Sequence, residues 1–157
     1  MKRINLVFAF LLLATAFSVQ AGDGDAVLGV WATDPDGEGG QAHIEIYSDG
    51  DRYSGKVVWL EEPVYTADDE DGEEGEPKVD KNNPDKALQS RPIMGMVLME
   101  GFLYNGKGLW HKGTIYDPDN GKTYKCKVRL GEDGTLKVRG FIGFSMIGRT
   151  SEWTRVE

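Results

Sequence analysis

Hydrophobic and polar residues alternate with a period of two along most of the chain after residue 22, the mark of half-buried β-strands. Over residues 124–130, Tyr124, Cys126, Val128 and Leu130 share one face, and Lys125, Lys127 and Arg129 share the other. Glu132-Asp133-Gly134 predicts a turn. Leu136 and Val138 then face inward and Lys137 and Arg139 outward, so the two segments read as a hairpin. Ile44 and Ile46 alternate with His43, Glu45 and Tyr47, and Ser48-Asp49-Gly50-Asp51 turns the chain into a strand over residues 53–60. Residues 28–33, 93–104, 109–116 and 149–156 bring the predicted strands to about eight, and no segment beyond residue 21 sustains a helical period.

The alternation stops over about residues 61–91. Residues 61–80 hold ten acids (Glu61, Glu62, Asp68, Asp69, Glu70, Asp71, Glu73, Glu74, Glu76 and Asp80) against Lys78, a local charge of −9. Such a stretch lacks the apolar residues to order itself, and a long connection inside a compact domain is usually functional or disordered. A consecutive set of antiparallel strands must manage its edges. Closure into a barrel removes them, whereas a two-sheet sandwich gives the same alternation.

Charge and composition narrow the function classes. The chain has 157 residues and a formal net charge of −8. Residues 1–21 read as a cleavable export leader: Lys2 and Arg3, then an apolar run from Leu6 to Ala14, then Val19-Gln20-Ala21 as a cleavage site. Leu6 to Phe17 is too short to span a bilayer comfortably, and no later segment is apolar enough to cross one. The mature chain, one domain from residue 22 to 157, keeps 16 basic against 26 acidic side chains, a charge of −10, and is expected in the periplasm or outside the cell. That acidity argues against nucleic-acid binding. The single cysteine, Cys126, excludes an internal disulfide, and its inward position predicts a buried thiol.

Catalytic patterns are missing. His43 and His111 are the two histidines, with no metal-ligand spacing, and alternation turns His43 outward with Glu45. Gly143-Phe144-Ser145-Met146-Ile147 approaches a nucleophile elbow but ends in Ile147 rather than glycine and lacks a strand-to-helix setting. An EF-hand register with Gly72 sixth puts Ala67 first and Lys78 twelfth, so that motif fails. Asp117-Pro118-Asp119-Asn120-Gly121 reads as a tight turn. No cofactor, metal or catalytic residue is expected. The outward row Lys125, Lys127, Arg129, Lys137 and Arg139 is the one positive stripe, suited to an anionic surface or acidic partner, or else a solvated face.

Gly29-Val30-Trp31 opens the first strand and resembles the G-x-W motif of lipocalins and related calycins. The resemblance implies an arginine near the last strand packed over the tryptophan; Arg149 and Arg155 are both candidates. A wider string resembles the small exported bacterial proteins known as domain of unknown function 2147. It comprises the early Gly-x-Trp, Asp80 and Asn83 leading to Arg91-Pro92 and Gly95, and Gly113-x-Ile115-Tyr116-Asp117-Pro118-x-x-Gly121-Lys122-Thr123-Tyr124. Leu136-x-Val138-Arg139-Gly140-Phe141-x-Gly143 and Arg149-Thr150-x-x-Trp153 complete it. This resemblance implies a calycin-like barrel and brings no activity with it.

The fold expected is therefore an all-β, eight-stranded antiparallel up-and-down barrel with one long acidic loop. Inward aromatics Trp59, Trp110 and Tyr116 are the pocket candidates, with Arg91 an anchor for an anionic head group. The leading expectation is non-enzymatic binding of a small apolar or amphipathic ligand in the cell envelope. The alternative is a filled barrel that engages an envelope protein through its acidic loop or basic face.

Overall fold

The computed structural model describes residues 23–35 and 40–156; the leader expected over residues 1–21 lies outside them. Eight antiparallel strands form a closed barrel in sequence order: β1 (Gly29–Ala32), β2 (Ala42–Asp49), β3 (Arg52–Leu60), β4 (Val97–Tyr104), β5 (Leu109–Asp117), β6 (Lys122–Leu130), β7 (Leu136–Phe141) and β8 (Gly148–Arg155). Trp31 opposite Arg155 and Ala32 opposite Thr154 close the ladder between β1 and β8. That closure satisfies the backbone groups a sandwich would leave at its edges. The fourth strand begins at Val97 rather than near residue 93. Gly95 takes a φ of 82° and Met96 N–H bonds back to Ile93, so the chain turns just before it pairs.

The barrel is filled. Trp31, Ile44, Val57, Met99, Phe102, Trp110, Val128 and Leu136 are buried inside it. Gly113 makes room for the largest of these contacts: a Cβ there would lie 2.5 Å from the Phe102 ring. A void of about 10 Å³ within the barrel is bounded by Val27, Ile46, Tyr53, Ser54, Met99, Phe102, Trp110 and Val128. Space of that size holds one water at most.

One end is sealed by a short 3₁₀ turn, Asp23–Val27. Its carbonyls would otherwise be buried without donors. Trp31 Nε1 donates to Val27 O at 2.8 Å and Trp110 Nε1 to Gly24 O at 3.1 Å, so two core rings satisfy the turn and pin it to the barrel. The opposite end carries residues 33–35, 40–41, 61–96, 118–121 and 142–147.

The acidic insertion is ordered, which corrects the expectation that it lacks the means. Isolated bridges join Val64 to Pro77 and Val79 to Pro92, and Tyr65 is buried against Gly72. Lys78 pairs with Glu62 at 2.9 Å, and Lys81 pairs with Asp71. Asn82 Nδ2 donates to Pro118 O and Asp119 O at 3.1 and 2.9 Å, fastening the insertion to the β5–β6 turn. Polar bonds and one aromatic seat replace the missing apolar core.

Candidate functional site

Two bulges decide where the predicted pocket residues lie. In β3, His43 faces Trp59 while Ile44 faces Val57, so Val58 is an extra residue and the alternation slips. Trp59 is thereby turned to the outer face, 40% exposed, with its ring 4.3 Å from that of His43. In β5, Trp110 faces Val128 and Gly113 faces Cys126, so His111 and Lys112 together oppose one residue, and Lys112 takes a φ of 61°. Trp110 and Gly113 both point inward, and Tyr116 falls on the outer side. The inward placement expected for Trp59 and Tyr116 thus fails for one reason: each follows an extra residue that strict alternation does not contain. Trp110 is inside as expected, 1% exposed, in edge contact with Tyr53 and tilted against Tyr104. It lines no ligand-sized space.

Tyr116 and Arg91 meet at Asp80 instead. The Asp80 carboxylate is fully buried and accepts from Tyr116 Oη at 2.6 Å, Asn83 Nδ2 at 2.7 Å and the Arg91 guanidinium at 2.8 Å. Burial, then the bond to Asp80, pushes the Tyr116 phenol up to about 12, so it keeps its proton. Arg91 cannot serve as the expected anion anchor in this arrangement. Its charge is paired with Asp80, and its Nε is enclosed with no acceptor among the described residues. The cluster is a clamp that holds the insertion against β5. Asp80 and Asn83 were visible in the sequence only as part of a family-like string.

At the sealed end, Arg155 is the arginine that covers Trp31. Its guanidinium lies 4.3 Å from the ring centroid and donates to Leu28 O and Ala26 O at 2.7 and 2.6 Å. Gly29, at a φ of 118°, leaves the gap this arginine occupies, since a Cβ there would come within 2.8 Å of its Nη1. Arg149 stands at the other end of β8, opposite Gly140. Cys126 is buried, and burial pushes its thiol up to about 12, which suits a packing role and not a nucleophile. Among the described residues, no three His, Cys, Asp or Glu side chains gather as they would around a metal ion.

The predicted basic row survives as a shaped surface. On the outer face of β5–β8, Leu109, Lys127, Arg129, Lys137, Arg139 and Thr150 line a shallow groove of about 170 Å³. Lys137 pairs with Glu152 at 3.1 Å, while Lys127 and Arg129 form no ion pair among the described residues. Beside the groove, the β7–β8 connection exposes Ile142, Phe144, Met146 and Ile147 at 65, 81, 88 and 70%. Sequence reading weighed this segment only as a failed nucleophile elbow. The signal available was its run of apolar residues where a polar turn would be usual.

A closed, eight-stranded antiparallel barrel with one end sealed by a 3₁₀ turn and an arginine over Trp31 defines a lipocalin-like fold. The chain belongs to the family described as "Uncharacterized protein conserved in bacteria (DUF2147)", whose model matches residues 29–155. Among solved structures it is similar to protein HP1028 from the human pathogen Helicobacter pylori, described as belonging to the lipocalin family. The two are 22% identical, with a TM-score of 0.69 over 83% of this chain and 82% of that one. No curated protein matches the chain. No helix among the described residues is long and apolar enough to cross a membrane.

Proposed function

We propose that this protein is an exported, non-enzymatic binding barrel of the bacterial cell envelope that recognises an anionic amphiphile on its outer face. A lipocalin-like fold suggests ligand binding in general, and the question is where. The observation that carries the reading is a contrast of volumes: about 10 Å³ inside the barrel against about 170 Å³ in the basic groove on β5–β8. A small ligand needs a few hundred Å³ if it is to be enclosed, so the interior is the wrong place for one. The groove offers Lys127 and Arg129, which form no ion pair among the described residues, beside Arg139 and with Leu109 in its lining, which fits a negative head group followed by a short hydrocarbon. Export rests on the leader read from residues 1–21, and the non-enzymatic reading on the lipocalin-like fold.

A titration with monomeric dihexanoyl phosphatidylglycerol, followed by backbone amide NMR, tests the assignment. Shifts should cluster on β5–β8 and disappear in Lys127→Gln/Arg129→Gln. Shifts confined to the barrel interior, or none at all, would remove the groove as the binding site.

A second reading shares the filled barrel: capture of an envelope protein by the acidic insertion. Its support is the Asp80 clamp, which presents the exposed acids Glu70, Glu73 and Glu74 on a fixed frame.

A further inference from the structure

Four of the six residues between β7 and β8 are large, apolar and mostly solvent-exposed: Ile142, Phe144, Met146 and Ile147. The loop is not a loose excursion. Ile142 N–H bonds to Ile147 O at 3.2 Å and Ile147 N–H to Phe144 O at 3.0 Å. Arg139 then grips it from the outer face: Nε donates to Ser145 O at 2.8 Å, Nη2 to Met146 O at 3.2 Å, and Nη1 to Thr150 Oγ1 at 2.9 Å. A loop free to hide its apolar side chains would do so, because exposing them is unfavourable. This one is braced with them outward, by the same arginine that lines the groove.

Tip and groove therefore share one face. Below the tip, the outward cations descend in register: Lys125 opposite Phe141, Lys127 opposite Arg139, and Arg129 opposite Lys137. Successive rungs lie about 7 Å apart along the strands. The acidic insertion joins β3 to β4 at the same end of the barrel as the tip, and Asn82 fastens it to the β5–β6 turn.

We infer that the β7–β8 tip and the cationic ladder below it form a docking surface for an anionic phospholipid bilayer. The tip enters the head-group and acyl boundary while Lys125, Lys127 and Arg129 meet lipid phosphates. The inference rests on the groove reading above and names the source of its amphiphile as a membrane. A second copy of this chain fits less well. Its acidic insertion would complement the ladder but would set carboxylates against Phe144 and Met146, which need an apolar medium.

The experiment is flotation of the full mature chain with vesicles of phosphatidylcholine alone, or with about one-third phosphatidylglycerol. The wild type should bind the anionic vesicles at least about tenfold better than the neutral ones, and less at raised salt. Phe144→Ser/Met146→Ser should lose about tenfold or more of that binding, while its response to monomeric dihexanoyl phosphatidylglycerol stays unchanged. Phe144→Leu should retain vesicle binding. Because both side chains are more than four-fifths exposed, the serine variant keeps its fold, checked by its melting curve. Monomer binding without any vesicle binding, or vesicle binding indifferent to the serine pair, overturns the inference and leaves the groove reading standing. Failure with both monomer and vesicle removes both. A dimer abolished by the serine pair, with no flotation, assigns the tip to self-association and overturns the inference.

Discussion

The guanidinium of Arg155 lies 4.3 Å above the Trp31 ring while donating to the carbonyls of Ala26 and Leu28, so one side chain ties the last strand to the first strand and to the N-terminal turn. Neither partner reaches this position locally, since the bonded residues are 127 and 129 apart in sequence. Arg155→Ala removes a cation–π contact and two charge-assisted bonds, and should cost about 2 kcal/mol. Arg149→Ala should cost clearly less. Urea unfolding followed by tryptophan fluorescence compares the two, and equal losses would detach Arg155 from the seal.

Asp80 gives a second test, because its carboxylate is buried among three donors. Asp80→Ala leaves the Arg91 charge and the Tyr116 hydroxyl without their acceptor and should cost about 3 kcal/mol. Tyr116→Phe removes one bond and should cost about 1.5 kcal/mol. The clamp holds the insertion, so limited proteolysis should cut within residues 61–96 first, and faster in Asp80→Ala than in the wild type. Cleavage elsewhere at the same rate would mean the clamp does not order the insertion.

Gly113 and Phe102 form a coupled pair. Adding a methyl at Gly113 presses on the ring at 2.5 Å and should destabilise the barrel by about 1–3 kcal/mol. Phe102→Leu on its own leaves a small cavity, but combined with Gly113→Ala it should recover part of the loss. A strictly additive double variant would show that the two side chains do not compete for space.

Alkaline pH should weaken the fold. The Cys126 thiol and the Tyr116 phenol are both held up at about 12 in the folded chain, chiefly by burial, against ordinary values of 9.0 and 10.0. The unfolded chain therefore gives up these protons first. Stability falls as pH rises above the ordinary thiol value, and further above the phenol value. The thiol contributes at most about 1.4 kcal/mol per pH unit over that range. The urea midpoint should drop from about pH 8 to about pH 11, less so in Cys126→Ala. A Cys126→Ala profile identical to the wild type would exclude the thiol as a cause.

The filled interior makes a direct prediction for native mass spectrometry. The mature protein, purified from an exporting host, should show the mass of its bare chain before and after denaturation. A discrete excess mass that survives loss of the groove cations in Lys127→Gln/Arg129→Gln would place a ligand inside the barrel and count against the outer-face reading.

Alternation over residues 124–139 placed Cys126, Val128, Leu136 and Val138 inward and the basic row outward, and the structure has them so. This works because a regular strand alternates its side chains strictly, whatever surrounds it. The early glycine and tryptophan also pointed to closure, although only packing chose Arg155 over Arg149. Local sequence does not mark where a strand takes in one extra residue. The slips at Val58 and at His111–Lys112 arise because a closing, coiled sheet must relieve strain somewhere, and they carried Trp59 and Tyr116 to the outer face. Whether the barrel is hollow is likewise a property of the whole: it depends on Phe102 filling the space at Gly113 on the next strand and on Trp110 bonding to Gly24, 86 residues away. Sequence alone determined the strands, their faces and the charge of each segment, because these follow from neighbours along the chain. Tertiary structure decided the filled interior, the Asp80 clamp and the union of apolar tip with basic groove, because each requires side chains from different segments that only folding brings together.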